Sequence, residues 1–259
     1  LMTSAVIPWG ADLHIGGEVY PLQVADINIA VLYLLGVTSI GVYGIMIGGW
    51  SSNNKYSLLG ALRASSQMIS YEVAMGISVV TLIMLSGTLS TSGIVEQQHG
   101  FWDDGWFTWN FFKNPVTFLI FFICALAETN RTPFDLPESE TELIGGYHTE
   151  FSSMKLGLFL FGEYINMFVS SAIMAMFFFG GYNYPWMDKI TDPNIQALVG
   201  VGVMFTKTIF FIFVFMWIRW TIPRFRYDQL MNLGWKILIP FSLINLFATG
   251  LGMYFLGKL

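Results

Sequence analysis

Long, continuous apolar runs separated by short polar stretches set the pattern of this chain. Six runs, roughly 25–48, 58–86, 114–129, 152–179, 195–218 and 230–256, have the character of membrane-spanning helices. Each is near the ~20 residues that a bilayer core requires, the third being short. A seventh stretch, Leu1–Trp9, reads as the tail of a further spanning helix, with more residues expected upstream of it. It has neither a basic leading region nor a cleavage pattern, so it is not a signal peptide. The runs do not alternate and far exceed the roughly ten residues of a barrel strand, which excludes a β-barrel. The pattern therefore predicts an all-α, polytopic membrane helix bundle. It forms one integral membrane domain over 1–259, with six complete spans and a truncated N-terminal helix.

Composition supports this picture. The chain is 54% hydrophobic and only 11% charged, whereas a soluble domain carries about 25% charged residues. It has no basic patch of the kind that binds phosphate, so no nucleic acid is expected. Cys124 is the only cysteine and the histidines, His14, His99 and His148, all fall in loops. No iron–sulfur ligand set, haem or other metal site is expected from this chain alone. Any electrons must come from a partner.

The cations orient the bundle. Lys55, Arg63, Arg131, Lys155, Arg219, Arg224, Arg226 and Lys236 lie on one side, and Lys113, Lys189 and Lys258 on the other. Lys and Arg accumulate on the cytoplasmic side, which places the first group there. The opposite loops carry Trp102, Trp106, Trp109, Tyr182, Tyr184 and Trp186, as residues anchored at a membrane interface do. No internal repeat marks an inverted-repeat transporter.

Against that background the carboxylates stand out. Glu128, Asp135, Glu138, Glu140, Glu142 and Glu150 crowd in or beside a cytoplasmic loop at about 129–151. Pro137 is placed to start a short helix there, with Glu138 and Glu142 on one face and Gly145-Gly146 at its end. Like charges so close raise each other's proton affinity. Two more, Glu72 and Glu163, sit deep inside apolar spans, where a charge costs about 2.5–3.5 kcal/mol. Each must pair or hold a proton. Lys207 is also inside a span, and Glu163 and Glu72 are both open to it as partners. Arg63, Gln67 and Tyr71 form a polar stripe on the second span, with Arg63 placed either to snorkel or to meet the acidic loop.

Four stretches then resemble a known family. They are Gly49-Trp-Ser-Ser-Asn-Asn-Lys-Tyr-Ser-Leu-Leu-Gly-Ala-Leu-Arg63 through Ile69-Ser-Tyr-Glu72; Ala127-Glu-Thr-Asn-Arg-Thr-Pro-Phe-Asp-Leu-Pro-Glu138; Glu140 through Lys155 and on to Gly162-Glu-Tyr164; and Arg219 through Met231 with Gly234-Trp-Lys236. In order and on one membrane side, they resemble the H-type membrane subunit (subunit 1 in mitochondria) of the proton-pumping NADH–quinone oxidoreductase, respiratory complex I. The departures, Ser139, Phe151 and Trp220, remove no charge.

The resemblance implies a family fold of eight tilted helices in the bacterial cytoplasmic membrane. It implies a subunit with no catalytic residue or redox centre of its own, within an enzyme whose substrate is a quinone, ubiquinone or menaquinone. Its partners would be the hydrophilic-arm subunits carrying the terminal iron–sulfur cluster, the 49-kDa-like quinone-site subunit, and the small and antiporter-like membrane subunits. The chain would shape the membrane end of the quinone chamber. Glu72, Glu128, Asp135, Glu138, Glu140, Glu142, Glu150 and Glu163, with Lys207, would relay protons or charge. Arg63, Arg131, Arg219, Arg224 and Arg226 would line the chamber or pair with the loop. Two other readings share some of these features: the equivalent subunit of a membrane-bound hydrogenase, and a secondary transporter built on Glu72, Glu163 and Lys207.

Overall fold

The computed structural model describes residues 2–99, 108–135, 146–184, 187, 190 and 192–255. It is a helix bundle. Helices α1 (Ala30–Ser51), α2 (Lys55–Ser86), α3 (Thr91–Glu96), α4 (Asn110–Lys113), α5 (Pro115–Glu128), α6 (Ser153–Phe178), α7 (Pro193–Thr221), α8 (Tyr227–Asn232) and α9 (Ile239–Phe255) follow in order. A six-residue π-helical segment, Leu233–Leu238, joins α8 to α9. A two-stranded antiparallel hairpin, β1 (Leu13–Ile15) and β2 (Glu18–Tyr20), precedes α1. Among the described residues, five helical stretches are long and apolar enough to cross a membrane: α1, α2, α6, α7 and Tyr227–Phe255. The short third span expected from the sequence is α5, with 14 residues.

Local chemistry sets the helix ends. Asn54 caps α2 by accepting from the Tyr56 amide at 3.0 Å. Gly87, in the left-handed region at φ 67°, ends it. Asn114 caps α5 by accepting from the Thr117 amide at 3.1 Å, with Pro115 at the first helical position.

The expected helix tail at Leu1–Trp9 takes another form: Thr3–Val6 is a single 3-10 turn. Its end is held by side chains, since Gln23 and Thr91 both donate to the Val6 carbonyl, at 2.9 and 2.8 Å. Trp9 then stacks between Phe168 and Phe205.

Helix α2 is the centre of the bundle, packing against α1, α5 and the α8–α9 arm. Apolar burial drives helix association weakly in lipid, so close packing and polar contacts must hold the helices together. Both are present. A Cβ on Gly49 of α1 would fall 2.2 Å from the Ala61 Cβ of α2, so this crossing requires glycine. Asn245 donates to Thr117 Oγ1 at 2.7 Å and Asn114 to Thr249 Oγ1 at 2.9 Å, which ties α9 to α5. Phe111, Phe118, Phe178, Phe179 and Phe211 form a ring cluster joining α4–α7.

Candidate functional site

The last turn of α5 and the loop after it gather the charged side chains. Helix α5 ends at Glu128, and the chain reverses through Asn130 (φ 51°) and a turn in which the Phe134 amide donates to the Arg131 carbonyl at 2.9 Å. The polar stripe on α2 receives this loop. Gln67, fully buried, donates to the Phe134 carbonyl at 2.9 Å. Tyr71, one helical turn on, donates to the Leu230 carbonyl of α8 at 3.0 Å and packs edge-on to Phe134. Arg63, at the exposed end of the stripe, lies over the Tyr227 ring at 5.4 Å.

Among the described residues, two ion pairs hold the loop. Arg131 lies 3.1 Å from Glu163 of α6, with each side chain about nine-tenths buried (9% and 10% exposed). Its guanidinium also lies over the Tyr164 ring at 4.7 Å, and Tyr147 donates to the other Glu163 oxygen at 3.2 Å. Asp135, buried, takes a hydrogen bond from Arg224 at 2.9 Å. Beside it the Phe225 amide donates to the Pro133 carbonyl at 3.3 Å, so the 222–226 segment and the loop form one unit.

Glu72 of α2 is half-buried and faces α1, where the Ser39 hydroxyl is its hydrogen-bond partner. Glu72 and Glu128 line one small cavity with Thr38, Val42, Met75 and Cys124, at about 10 Å³ the limit for a single water. Glu128 also lines a larger cavity of about 190 Å³, shared with Asn130, Tyr147, Glu163 and Asn166. Asn166 donates to the Glu128 carbonyl at 3.4 Å. Glu128 and Met68 line both spaces, and the three carboxylates fall in the order Glu163, Glu128, Glu72 across α6, α5 and α2. The larger cavity has glycine walls, Gly41 and Gly44 on α1 and Gly162 on α6. It abuts a further opening of about 490 Å³ at the charged end of the bundle, lined by Ser51, Lys155 and Phe159.

Other expected site residues lie elsewhere. Glu150 accepts from Asn54 at 2.8 Å on the surface. Arg226 pairs with Asp228 at 3.2 Å, both well exposed, and Arg219 lies 5.9 Å from the Trp220 ring. Glu138, Glu140 and Glu142, with the helix expected at Pro137, fall outside the described residues.

The expected pairing of Lys207 with Glu163 or Glu72 is not what forms. Lys207 donates to the backbone carbonyls of Phe179, Gly181 and Asn183 at 2.7, 2.8 and 2.6 Å and lies 5.0 Å from the Trp109 ring. These carbonyls follow the C-terminus of α6, about 22 Å of helix rise from Glu163. Helix ends expose orphan carbonyls and carry partial negative charge, so an ammonium is satisfied there without a carboxylate. Gly180 and Gly181, both with positive φ, turn the chain so that the carbonyls converge. Nearby, burial, helped by the carboxylates of Glu96 and Asp12, pushes the Tyr182 phenol up to about 12, and it stays neutral.

Sequence reasoning did not single out Ser39, Tyr147 as a hydrogen-bond donor, or the docking of Gln67. The signal for Ser39 was the Thr38-Ser39 pair midway along the apolar α1.

The chain is similar to known proteins over nearly its whole length. The family model described as NADH dehydrogenase matches residues 1–250. An H-type subunit of the NADH-quinone oxidoreductase of Cytophaga hutchinsonii is 62% identical over 250 residues, covering 96% of this chain and 71% of the relative. The H-type subunit of the Flavobacterium johnsoniae enzyme is 62% identical over 253 residues, with the same coverage. NADH-quinone oxidoreductase subunit 8 of Rhodothermus marinus is 52% identical over 239 residues, covering 89% of this chain and 69% of the relative. The chain belongs to the family of H-type membrane subunits of NADH–quinone oxidoreductase.

Proposed function

We propose that this chain couples quinone reduction to proton translocation as the membrane subunit that shapes the inner end of the quinone chamber. One observation carries the reading: Glu128 walls both cavities, and so connects Glu163 to Glu72 within the bundle. Carboxylates that share a space titrate as a set, so a charge change at one redistributes protons over the others. Reducing a quinone by two electrons demands two protons or equivalent positive charge. The loop from Arg131 to Asp135, held by Gln67, Glu163 and Arg224, is where chamber chemistry would reach the chain. Arg131 pairs with Glu163 at one end of the series, and Ser39 meets Glu72 at the other. The polar walls of Tyr147, Asn130 and Asn166 offer water the two to four partners it needs between them. Lys207, at the far end of α6, holds structure and stands outside this series.

The charged end of the bundle faces the cytoplasm, where the hydrophilic arm docks. That arm brings the electrons and the quinone-site subunit, and the antiporter-like membrane subunits take up the charge signal. Quinone is the substrate.

The test is Glu128→Gln in the assembled complex. Protons moved per quinone reduced should fall, while NADH oxidation by artificial acceptors in the hydrophilic arm stays at wild-type rate. Wild-type proton yield in that variant overturns the reading.

A further inference from the structure

The hydroxyl on α1 that meets Glu72 can serve that carboxyl in two ways. Ser39 Oγ lies 2.9 Å from the Leu35 carbonyl and within hydrogen-bond reach of Glu72 Oε1. It has one proton and two acceptors. Thr38 also donates to the Leu35 carbonyl, at 3.0 Å, so that carbonyl is served whether or not Ser39 bonds to it.

We propose that Ser39 is a positioning residue for Glu72, a two-way partner that holds the carboxyl in one place in both its ionised and its protonated form. This rests on the reading of Glu72 as a member of the proton relay. When Glu72 is ionised, Ser39 turns its proton to the carboxylate, and Thr38 alone serves Leu35. When Glu72 is protonated, its own O–H donates to Ser39 Oγ, and Ser39 turns its proton back to Leu35. A hydroxyl both donates and accepts, so one rotation about its C–O bond satisfies both states. A backbone carbonyl offers no proton to the carboxylate, and an amide or ammonium N–H offers no acceptor for the acid's own proton.

Among the described residues, the hydroxyl bonded to Glu72 is that of Ser39, while the Thr38 hydroxyl in the same cavity donates to the Leu35 carbonyl. In the cavity beside Glu72, α5 presents Glu128 and Cys124, α1 presents Thr38 and Val42, and α2 itself presents Met68 and Met75. Glu128 is the other titratable carboxylate facing the site and Cys124 the thiol. Tyr71, next to Glu72 on α2, gives its hydroxyl to Leu230. A structural hydrogen bond needs one protonation state. A group that takes up and releases a proton away from bulk water needs two, each with a partner, because a buried polar group without one is costly.

The test uses the assembled, quinone-reducing complex and infrared difference spectra between its oxidised and reduced states. Glu72→Gln identifies the carboxyl band of Glu72 by removing it. Ser39→Ala should shift the frequency of that band and displace the pH profile of proton yield. Ser39→Thr, which keeps the hydroxyl, should restore both. An unmoved band and an unmoved profile in Ser39→Ala overturn the proposal while leaving the relay reading intact. A loss of complex in Ser39→Ala and Ser39→Thr alike, with the band unmoved in what assembles, makes Ser39 a packing residue and overturns it too. If Glu72→Gln removes no band and keeps full proton yield, the relay reading fails and the proposal falls with it.

Discussion

Arg131 and Glu163 form an ion pair at 3.1 Å between the loop after α5 and the middle of α6, with both side chains about nine-tenths buried. Attraction between two such charges only offsets the cost of taking them out of water. Removing one partner leaves the other stranded, which costs about 3–5 kcal/mol. Arg131→Gln should therefore lower the amount of assembled complex more than Arg131→Gln combined with Glu163→Gln. Quantifying this subunit in purified membranes across the double-mutant cycle checks it. Equal losses in the single and double variants would show that the pair is not coupled.

Tyr147 anchors the same carboxylate from another direction. Its ring is buried against Phe159 and its hydroxyl donates to Glu163 at 3.2 Å. Tyr147→Phe keeps the ring and removes a donor to a charged partner, so stability should fall by about 1.5–3 kcal/mol. Tyr147→Ala should cost about 3–5 kcal/mol through the cavity it opens. Thermal inactivation of the detergent-solubilised complex separates the two. If Tyr147→Phe loses as much as Tyr147→Ala, the hydroxyl and not the ring is the main contribution.

The bundle was legible because apolar runs of spanning length admit few alternatives, and the caps at Asn54, Gly87 and Asn114 are marked by residue type. Glu72 and Glu163 were legible for the converse reason, since a carboxylate inside an apolar span has to have a partner. Identifying the partners was harder. Lys207 was read as seeking a carboxylate, yet it found three backbone carbonyls, which have no residue type to announce them; Gly180-Gly181 was the trace they left. The order Glu163, Glu128, Glu72 depends on which helices are neighbours, and residues 56 positions apart in sequence, such as Glu72 and Glu128, acquire a common cavity only in the fold.

Lys207→Met keeps the aliphatic stem and removes the donor to three carbonyls. The C-terminal end of α6 should lose about 1–3 kcal/mol as those carbonyls go unserved. Proton yield per assembled complex should stay at the wild-type value, because Lys207 bonds backbone carbonyls and lines neither of the cavities that Glu163, Glu128 and Glu72 share. Measuring yield and melting temperature on one preparation checks this. A fall in yield without a fall in stability would return Lys207 to the relay.

The pair between Asp135 and Arg224 yields an asymmetric prediction. Asp135 is 5% exposed, whereas the Arg224 side chain is 32% exposed. Arg224→Gln leaves a carboxylate buried with its guanidinium partner gone. Asp135→Asn leaves a cation that water already reaches, and the amide keeps a carbonyl oxygen for Arg224 to bond. The first should cost about 2–4 kcal/mol. The second, screened by solvent at the arginine, should cost about 1 kcal/mol or less. The loop that carries both Asp135 and the Arg131 anchor should loosen accordingly, and hydrogen exchange at the Phe134 amide, bonded to the Arg131 carbonyl at 2.9 Å, reports it directly. Faster exchange in Arg224→Gln than in Asp135→Asn is expected, together with the larger loss of quinone-linked turnover. The reverse order would mean that Arg224 itself, and not the carboxylate it shields, is what holds the loop.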